Sequence, residues 1–249
     1  MSILFHGDLH GGHRATREMF HYARDHHVDE IIQVGDFGYG WDDGTFVNSV
    51  ADLVQGTGIP LSWLDGNHEN FDLLETVIDS IGNEIAPGVT YLPRGTVIER
   101  EGASILIMGG AYSVDKKYRF PGSSWWPQEE ITEEDLKVGL ERAELWHPID
   151  VVLSHDAPDA AFSEAIRQAN EPGVDEYQFG HLMWKTTDRF PAAEANRMKL
   201  QRLLQAVAPK LWVHGHYHTH YEAQLGETRV VGLSHESNYG SKMIWENNG

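Results

Sequence analysis

The chain contains no cysteine, few basic residues and no long apolar run among its 249 residues. The missing thiols exclude disulfides, thiolate zinc sites, iron–sulfur clusters and a cysteine nucleophile, so histidine and carboxylate side chains must carry the polar chemistry. The 19 Lys and Arg residues face 38 Asp and Glu residues, which gives a formal net charge of −19. Because this charge repels phosphate backbones and anionic lipids, we expect neither a long nucleic acid nor a membrane as a partner.

The composition is that of a folded protein, since 41% of the residues are hydrophobic and 23% are charged. A chain of this length can bury one large core, and we expect a single domain over residues 1–249. No stretch reaches the roughly 20 apolar residues of a membrane span, so the expected location is cytoplasmic. The expected state is a monomer or a homodimer.

Short β-type runs alternate with helical patterns, which favours an α/β fold. The strand candidates are residues 3–5, 31–34, 59–64, 105–108, 151–153, 211–213 and 229–233. Helices are predicted on the face formed by Ala15, Met19 and Tyr22, from a capping box at Thr132 towards Trp146, and between Pro191 and Pro209. The irregular residues 111–128, here called the flap, predict a segment that covers or builds a site.

Polar residues directly follow five of these strand candidates. They are Asp8 and His10, then Asp36, then Asn67 and His68, then His155, and finally His216 and His218. Because ligands gather at the carboxyl ends of strands in open α/β sheets, these five ends predict one common site. Glycine precedes the polar residue at four of the ends, where it permits a close backbone approach. The carboxylate, amide and imidazole groups exceed the needs of one ion and suit two divalent ions that share a bridging carboxylate.

These residues resemble the calcineurin-like metallophosphoesterases, most closely the small single-domain bacterial and phage enzymes. The ordered motifs Asp-x-His, Gly-Asp, Gly-Asn-His-Glu, a lone His after a strand, and Gly-His-x-His all occur between Asp8 and His218. Segments 65–71 and 124–129 are also similar to segments of those small enzymes. The resemblance implies an α/β/β/α sandwich of four layers, in which helices flank two central mixed sheets.

The resemblance also implies a role for each matched residue. Asp8, His10 and His218 would bind one metal, Asn67, His155 and His216 a second, and Asp36 would bridge the two. A metal-bound hydroxide would be the nucleophile, and His68 would contact the substrate phosphate and protonate the leaving oxygen. Manganese is the favoured metal, with iron, zinc or magnesium as alternatives.

The favoured activity is hydrolysis of a small phosphodiester, such as a 2′,3′-cyclic or 3′,5′-cyclic nucleotide. Protein Ser/Thr phosphatases of this superfamily place a phosphate-clamping arginine after the Gly-Asp motif, and no arginine follows Asp36 here. The alternatives are a phosphomonoesterase or protein phosphatase with the same site, a non-catalytic scaffold that keeps the fold, and a nuclease, which the acidic charge disfavours.

Within the flap, Lys116 and Arg119 are candidates for phosphate contacts, and Tyr112 and Trp125 for stacking on a nucleobase. The alternative is a hydrophobic flap that packs on the domain or forms a dimer contact. Five residues that adjoin the motifs either hydrogen-bond the ligands from outside or have purely local roles. They are Asp65, Glu69, Asp156, His214 and His220.

Overall fold

The computed structural model describes residues 1–174 and 190–247. Its strands are β1 (Ser2–His6), β2 (Glu30–Gln33), β3 (Leu61–Trp63), β4 (Glu84–Ala86), β5 (Val89–Tyr91), β6 (Val97–Arg100), β7 (Ala103–Met108), β8 (Val151–Ser154), β9 (Leu211–His214), β10 (Tyr221–Leu225), β11 (Thr228–Gly232) and β12 (Lys242–Glu246). Its α-helices are α1 (His13–Asp25), α2 (Thr45–Thr57), α3 (Phe71–Ile81), α4 (Glu133–Leu145), α5 (Asp159–Ala169) and α6 (Pro191–Val207). The flap carries the short 3₁₀ turn Lys116–Tyr118, and a second turn, Pro127–Glu129, closes it.

The strands form two six-stranded mixed sheets. The first has the order β12-β1-β2-β3-β5-β4 and the second the order β10-β11-β9-β8-β7-β6. In each sheet four central strands run parallel, and one antiparallel strand closes either edge. The carboxyl ends of the central strands therefore share one edge of their sheet.

Three apolar clusters hold four layers together. The first sheet packs against α1–α3 through side chains such as Met19 and Val50, and the second packs against α4–α6 through side chains such as Leu200. A third cluster lies between the sheets and includes Phe5 and Leu153. This arrangement confirms the predicted sandwich of two mixed sheets flanked by helices.

Most predicted elements are present, with shifted ends. All seven strand candidates become strands, although the third begins at Leu61 and not at residue 59, because Pro60 has no N–H for the ladder. The capping box is formed, since the Thr132 side chain accepts from the N–H of Asp135 and the Asp135 carboxylate accepts from that of Thr132. The helix bracketed by prolines runs over Pro191–Val207.

The elements that the sequence patterns missed are α2, α3, α5 and the strands β4, β5, β6, β10 and β12. Four of these strands lie at sheet edges, where partial exposure weakens the apolar pattern of a buried strand. None of the helices in the described part of the chain combines the length and apolar character that a membrane crossing requires.

Candidate metal centre

The five predicted strand ends meet at one place. One group of possible ligands contains Asp8, His10, Asp36 and His218, and a second contains Asp36, His155 and His216. Within each group, one ligand atom per residue lies within 4.8 Å of the others. Asp36 belongs to both groups. Its carboxylate, to which the resemblance assigns the bridging role, therefore lies close to the candidate ligands of both ions.

The donor atoms point into shared, buried space. His218 Nε2 lies 2.9 Å from Asp8 Oδ2, and His155 Nε2 lies 3.2 Å from Asp36 Oδ1. The other ring nitrogen of His155, Nδ1, lies 2.9 Å from the Val34 carbonyl oxygen, to which it can donate. That bond would leave Nε2 as the lone-pair nitrogen that faces Asp36, the usual arrangement of a histidine that binds a metal.

Backbone N–H groups position both carboxylates. Asp36 Oδ1 accepts from the N–H groups of Asn67 and His68 at 2.8 and 2.9 Å, and Asp8 Oδ1 accepts from that of His216 at 3.0 Å. The backbone at residue 66 approaches Asp36 so closely that a side chain would not fit there, because a Cβ on Gly66 would lie 2.1 Å from Asp36 Oδ1. The predicted close approach of the backbone is therefore present at this strand end.

Four of the candidate ligands have left-handed backbone conformations, which are rare for residues with a side chain. Their φ angles are 49° for His10, 55° for Asp36, 69° for His216 and 54° for His218. Each conformation costs about 1–2 kcal/mol, and such strain is typical of functional sites. The contacts of the site, and not the intrinsic preference of the backbone, therefore account for the conformation of these four residues.

Asn67 provides an independent indication that a cation fits here. Its Oδ1 atom is buried and accepts no hydrogen bond from the residues that the structure describes. A buried amide oxygen without a donor is uncommon, and a metal ion would satisfy it. With the two carboxylates and four imidazoles, this oxygen forms a donor set that suits two divalent ions.

In the metal-free protein, the charges of the site are balanced among its own side chains. Burial opposes ionisation of His155, but the Asp36 carboxylate outweighs it and raises the pKa of His155 to about 10. Burial would likewise keep Asp36 neutral, yet the surrounding histidines hold the pKa of Asp36 well below its usual range. Divalent cations would thus displace protons from this cluster when they bind.

His68 lies beside the cluster and contacts a residue of the flap. Arg119 Nη2 is 2.7 Å from His68 Nε2, and Arg119 also pairs with Asp115 at 2.9 Å. Burial and the nearby guanidinium lower the pKa of His68 to about 4. On the other side, the Trp41 ring centroid is 5.2 Å from that of His68.

A cavity of about 340 Å³ opens at His68. Its lining consists of Gly40, Trp41, His68, Arg119, Ser123, Ser124 and Trp126. Sequence reasoning missed Trp41 and Trp126 as lining residues. Trp41 could have been found from its position five residues after Asp36, whereas Trp126 lies in the flap, whose path follows no periodic pattern.

The flap residues predicted to contact substrate are separated by the structure. Arg119 lines the cavity, as a phosphate contact requires, but Lys116, Tyr112 and Trp125 are not part of its lining. Lys116 pairs with Glu130 at 2.6 Å and lies over the rings of Tyr112 and Trp125. Lys116 therefore contacts both aromatic rings of this predicted set, and none of the three side chains lines the cavity.

The residues adjoining the motifs have structural partners. Asp65 accepts from Tyr91 and Arg94, Glu69 accepts from backbone N–H groups at residues 37–39, and Asp156 accepts from Tyr217 and Asn196. His214 bonds with the Tyr221 hydroxyl and the Gly215 carbonyl, and His220 bonds with the Gly232 carbonyl. In the described hydrogen bonds none of the five reaches a candidate ligand side chain. His235, for which no role was predicted, packs against His218 with ring centroids 4.2 Å apart.

One known enzyme is similar to this chain in sequence, and two solved structures are similar to it in fold. It is 26% identical over 178 residues to the lariat debranching enzyme of Entamoeba histolytica, a match that covers 69% of this chain and 46% of that enzyme's length. The crystal structure of TT1561 from Thermus thermophilus superposes with a TM-score of 0.56 at 15% identity, covering 95% of this chain and 90% of that one. A dimetal phosphatase from Danio rerio gives 0.55 at 11% identity, covering 96% and 89%.

The two structural similarities, at these identities, establish a shared fold. The family model of the calcineurin-like phosphoesterases matches residues 1–220, which contain every candidate ligand and the whole flap. The chain therefore belongs to the calcineurin-like phosphoesterase family.

Proposed function

We propose that this phosphoesterase is a phosphodiesterase that uses two divalent ions, with manganese favoured, to hydrolyse small nucleotide diesters. The 2′,3′-cyclic and 3′,5′-cyclic nucleotides are the favoured substrates. The observation that carries the proposal is the cavity beside the candidate ligands, where His68, Arg119 and Trp41 meet. It brings together the histidine proposed as the general acid, a guanidinium and an aromatic surface.

The size of the cavity supports a small substrate. Its volume of about 340 Å³ is near the lower end of the roughly 300–1,000 Å³ typical of small-molecule sites. Trp41 lines this cavity and is 54% exposed, so part of its side chain is available for stacking. A nucleobase would find there the sequence-tolerant contact that aromatic residues give to bases.

Each side chain of the site has a distinct task in this proposal. Asp8, Asp36, Asn67 and the four histidines would hold the ions, which supply Lewis acidity and lower the pKa of coordinated water. Arg119 would donate hydrogen bonds to the non-bridging phosphoryl oxygens. A bound phosphoryl group would offset the charge of Arg119 and so favour protonated His68, which would give its proton to the leaving oxygen.

Arg119 also favours the second candidate, a phosphomonoesterase. The sequence argument against a phosphatase was that no arginine follows Asp36, yet the flap brings a guanidinium to 2.7 Å from His68. A dianionic monoester gains more from such a charge than a monoanionic diester does. The two activities must therefore be separated by experiment.

A substrate panel tests the proposal directly. Purified protein supplied with Mn²⁺ is assayed on p-nitrophenyl phosphate, bis(p-nitrophenyl) phosphate, and 2′,3′-cyclic and 3′,5′-cyclic nucleotides, with EDTA-treated protein and an Asp36→Ala variant as blanks. Because the Entamoeba relative is named a lariat debranching enzyme, a short branched oligonucleotide is included. We expect faster hydrolysis of the bis-ester and of at least one cyclic nucleotide. Faster hydrolysis of the monoester, with intact cyclic nucleotides, would overturn the proposal in favour of the second candidate.

A further inference from the structure

Ser113 connects the candidate metal centre to the flap. Its Oγ atom accepts a hydrogen bond from Asn67 Nδ2 at 3.0 Å, on the side of the amide opposite to the free Oδ1. Arg119 Nη1 also reaches this oxygen, at 3.4 Å. One hydroxyl is thus shared by a candidate metal ligand and by the arginine that lines the cavity.

The position of this hydroxyl is fixed by the base of the flap. Ser113 is 1% exposed, and its N–H donates to Glu129 Oε1 at 3.2 Å. The N–H of Ala111 donates to the Glu129 carbonyl at 2.9 Å, which joins the two ends of the flap. Arg94 donates to the carbonyl oxygens of Gln128 and Glu130, and its guanidinium also pairs with the Asp65 carboxylate. The Ser113 hydroxyl therefore has a rigid support that does not depend on the tip of the flap.

An asparagine ligand needs such a support because its amide is asymmetric. Only the oxygen can bind a cation, whereas the NH₂ group in the same place would present two partial positive charges to it. A fixed acceptor for Nδ2 selects one of the two orientations, and the partners of metal-binding side chains commonly act in this way. We propose that Ser113 is a positioning residue that turns the Asn67 amide so that Oδ1 faces the second metal. This inference rests on the proposed metal centre.

The test is a metal titration without substrate. Mn²⁺ binding to EDTA-treated protein is followed by calorimetry and by the electron paramagnetic resonance signal of free Mn²⁺, for wild type, Ser113→Ala and Ser80→Ala. Ser80 is a matched control, since its exposed hydroxyl bonds only to Val77 within α3 in the described structure. We expect Ser113→Ala to weaken one of two sites about tenfold or more and to leave the affinity of the other site unchanged. Ser80→Ala should bind both ions as wild type does.

A second background separates positioning from general support. A carboxylate has two equivalent oxygens, so in an Asn67→Asp protein the orientation of the group no longer matters and Ser113→Ala should weaken metal binding only about twofold. Equal weakening in both backgrounds, or unchanged binding in Ser113→Ala, would overturn the inference. A wild-type protein that binds fewer than two ions would instead refute the proposed metal centre, so the two failures are distinguishable.

Discussion

Replacement of Arg119 by alanine tests whether the flap supplies the cationic group of the site. The guanidinium is within hydrogen-bonding distance of His68, and its side chain is only 12% exposed, so solvent screens its charge weakly. The Asp115 carboxylate pairs with the same guanidinium at 2.9 Å and restrains it. A bound phosphoryl group would therefore meet a positioned donor that has already lost most of its hydration.

The expected loss follows from this geometry. A hydrogen bond to a charged group contributes about 1.5–3 kcal/mol, and about 1.4 kcal/mol corresponds to a factor of ten, so kcat/KM should fall about 10- to 150-fold in Arg119→Ala. If the contact forms equally with bound substrate and transition state, the loss appears in KM, and if it strengthens in the transition state, it appears in kcat. Arg119→Lys should lie between wild type and alanine, because lysine keeps the charge without the planar fork.

Steady-state kinetics on the bis-ester and on the preferred cyclic nucleotide measure the effect, with metal content determined on the same samples. Lys117→Ala is the matched control, since Lys117 carries the same charge on the same segment but is exposed and lies over the ring of Tyr118. We expect the control to stay within about twofold of wild type. The reasoning fails if Arg119→Ala retains wild-type kcat/KM, or if Lys117→Ala loses as much, since the effect would then come from the overall charge of the flap.

Three further variants test other parts of the site. His68→Ala should retain both metals, yet lose about 10²–10⁴-fold in turnover on esters with poor leaving groups and much less on p-nitrophenyl esters; equal losses on both would remove His68 from the role of general acid. Asp36→Ala should lose bound metal as well as activity, because one carboxylate faces both ligand groups, and elemental analysis after dialysis that found two ions still bound would contradict this role. Glu129→Gln tests a buried carboxyl: burial raises the pKa of Glu129 from 4.5 to about 8, so the folded state favours the protonated form and stability should fall as the pH rises through that interval. Relative to wild type, metal-free Glu129→Gln should therefore gain stability in urea between about pH 5 and about pH 8, and a difference that did not change with pH would contradict the assignment.

The strand ends account for the part of the site that the sequence could predict. Asp8 and Asp36 follow neighbouring parallel strands, so the register of the first sheet brings them to one edge, and the packing of the two sheets places His155, which follows β8, beside them. Backbone N–H groups of neighbouring strand ends hold the carboxylates further, as the N–H of Asn67 does by donating to Asp36 Oδ1. Positions determined in this way can be read from a pattern of strands and polar residues.

The flap could not be predicted in the same way, because no strand register fixes its path, which depends instead on individual side-chain contacts with other segments. Arg94 holds the carbonyl oxygens at its end, 34–36 residues away, and Asp65 in turn holds Arg94. Arg119 reaches His68 across 51 residues. No periodicity in residues 111–128 encodes these distances, which is why the sequence could name Arg119 as a candidate but could not distinguish it from Lys116.

This distinction changes what the acidic composition implies about the substrate. Two of the three cations of the flap are paired with carboxylates, Lys116 with Glu130 and Arg119 with Asp115. The flap is therefore not a basic surface that could attract a long polyanion to a chain whose formal charge is −19. Unlike Lys116, Arg119 also contacts His68 and lines the cavity, so the attraction for phosphate is confined to the cavity itself. A phosphoester must enter the cavity before it gains this interaction, and a small diester can do so without bringing further phosphates against the acidic surface.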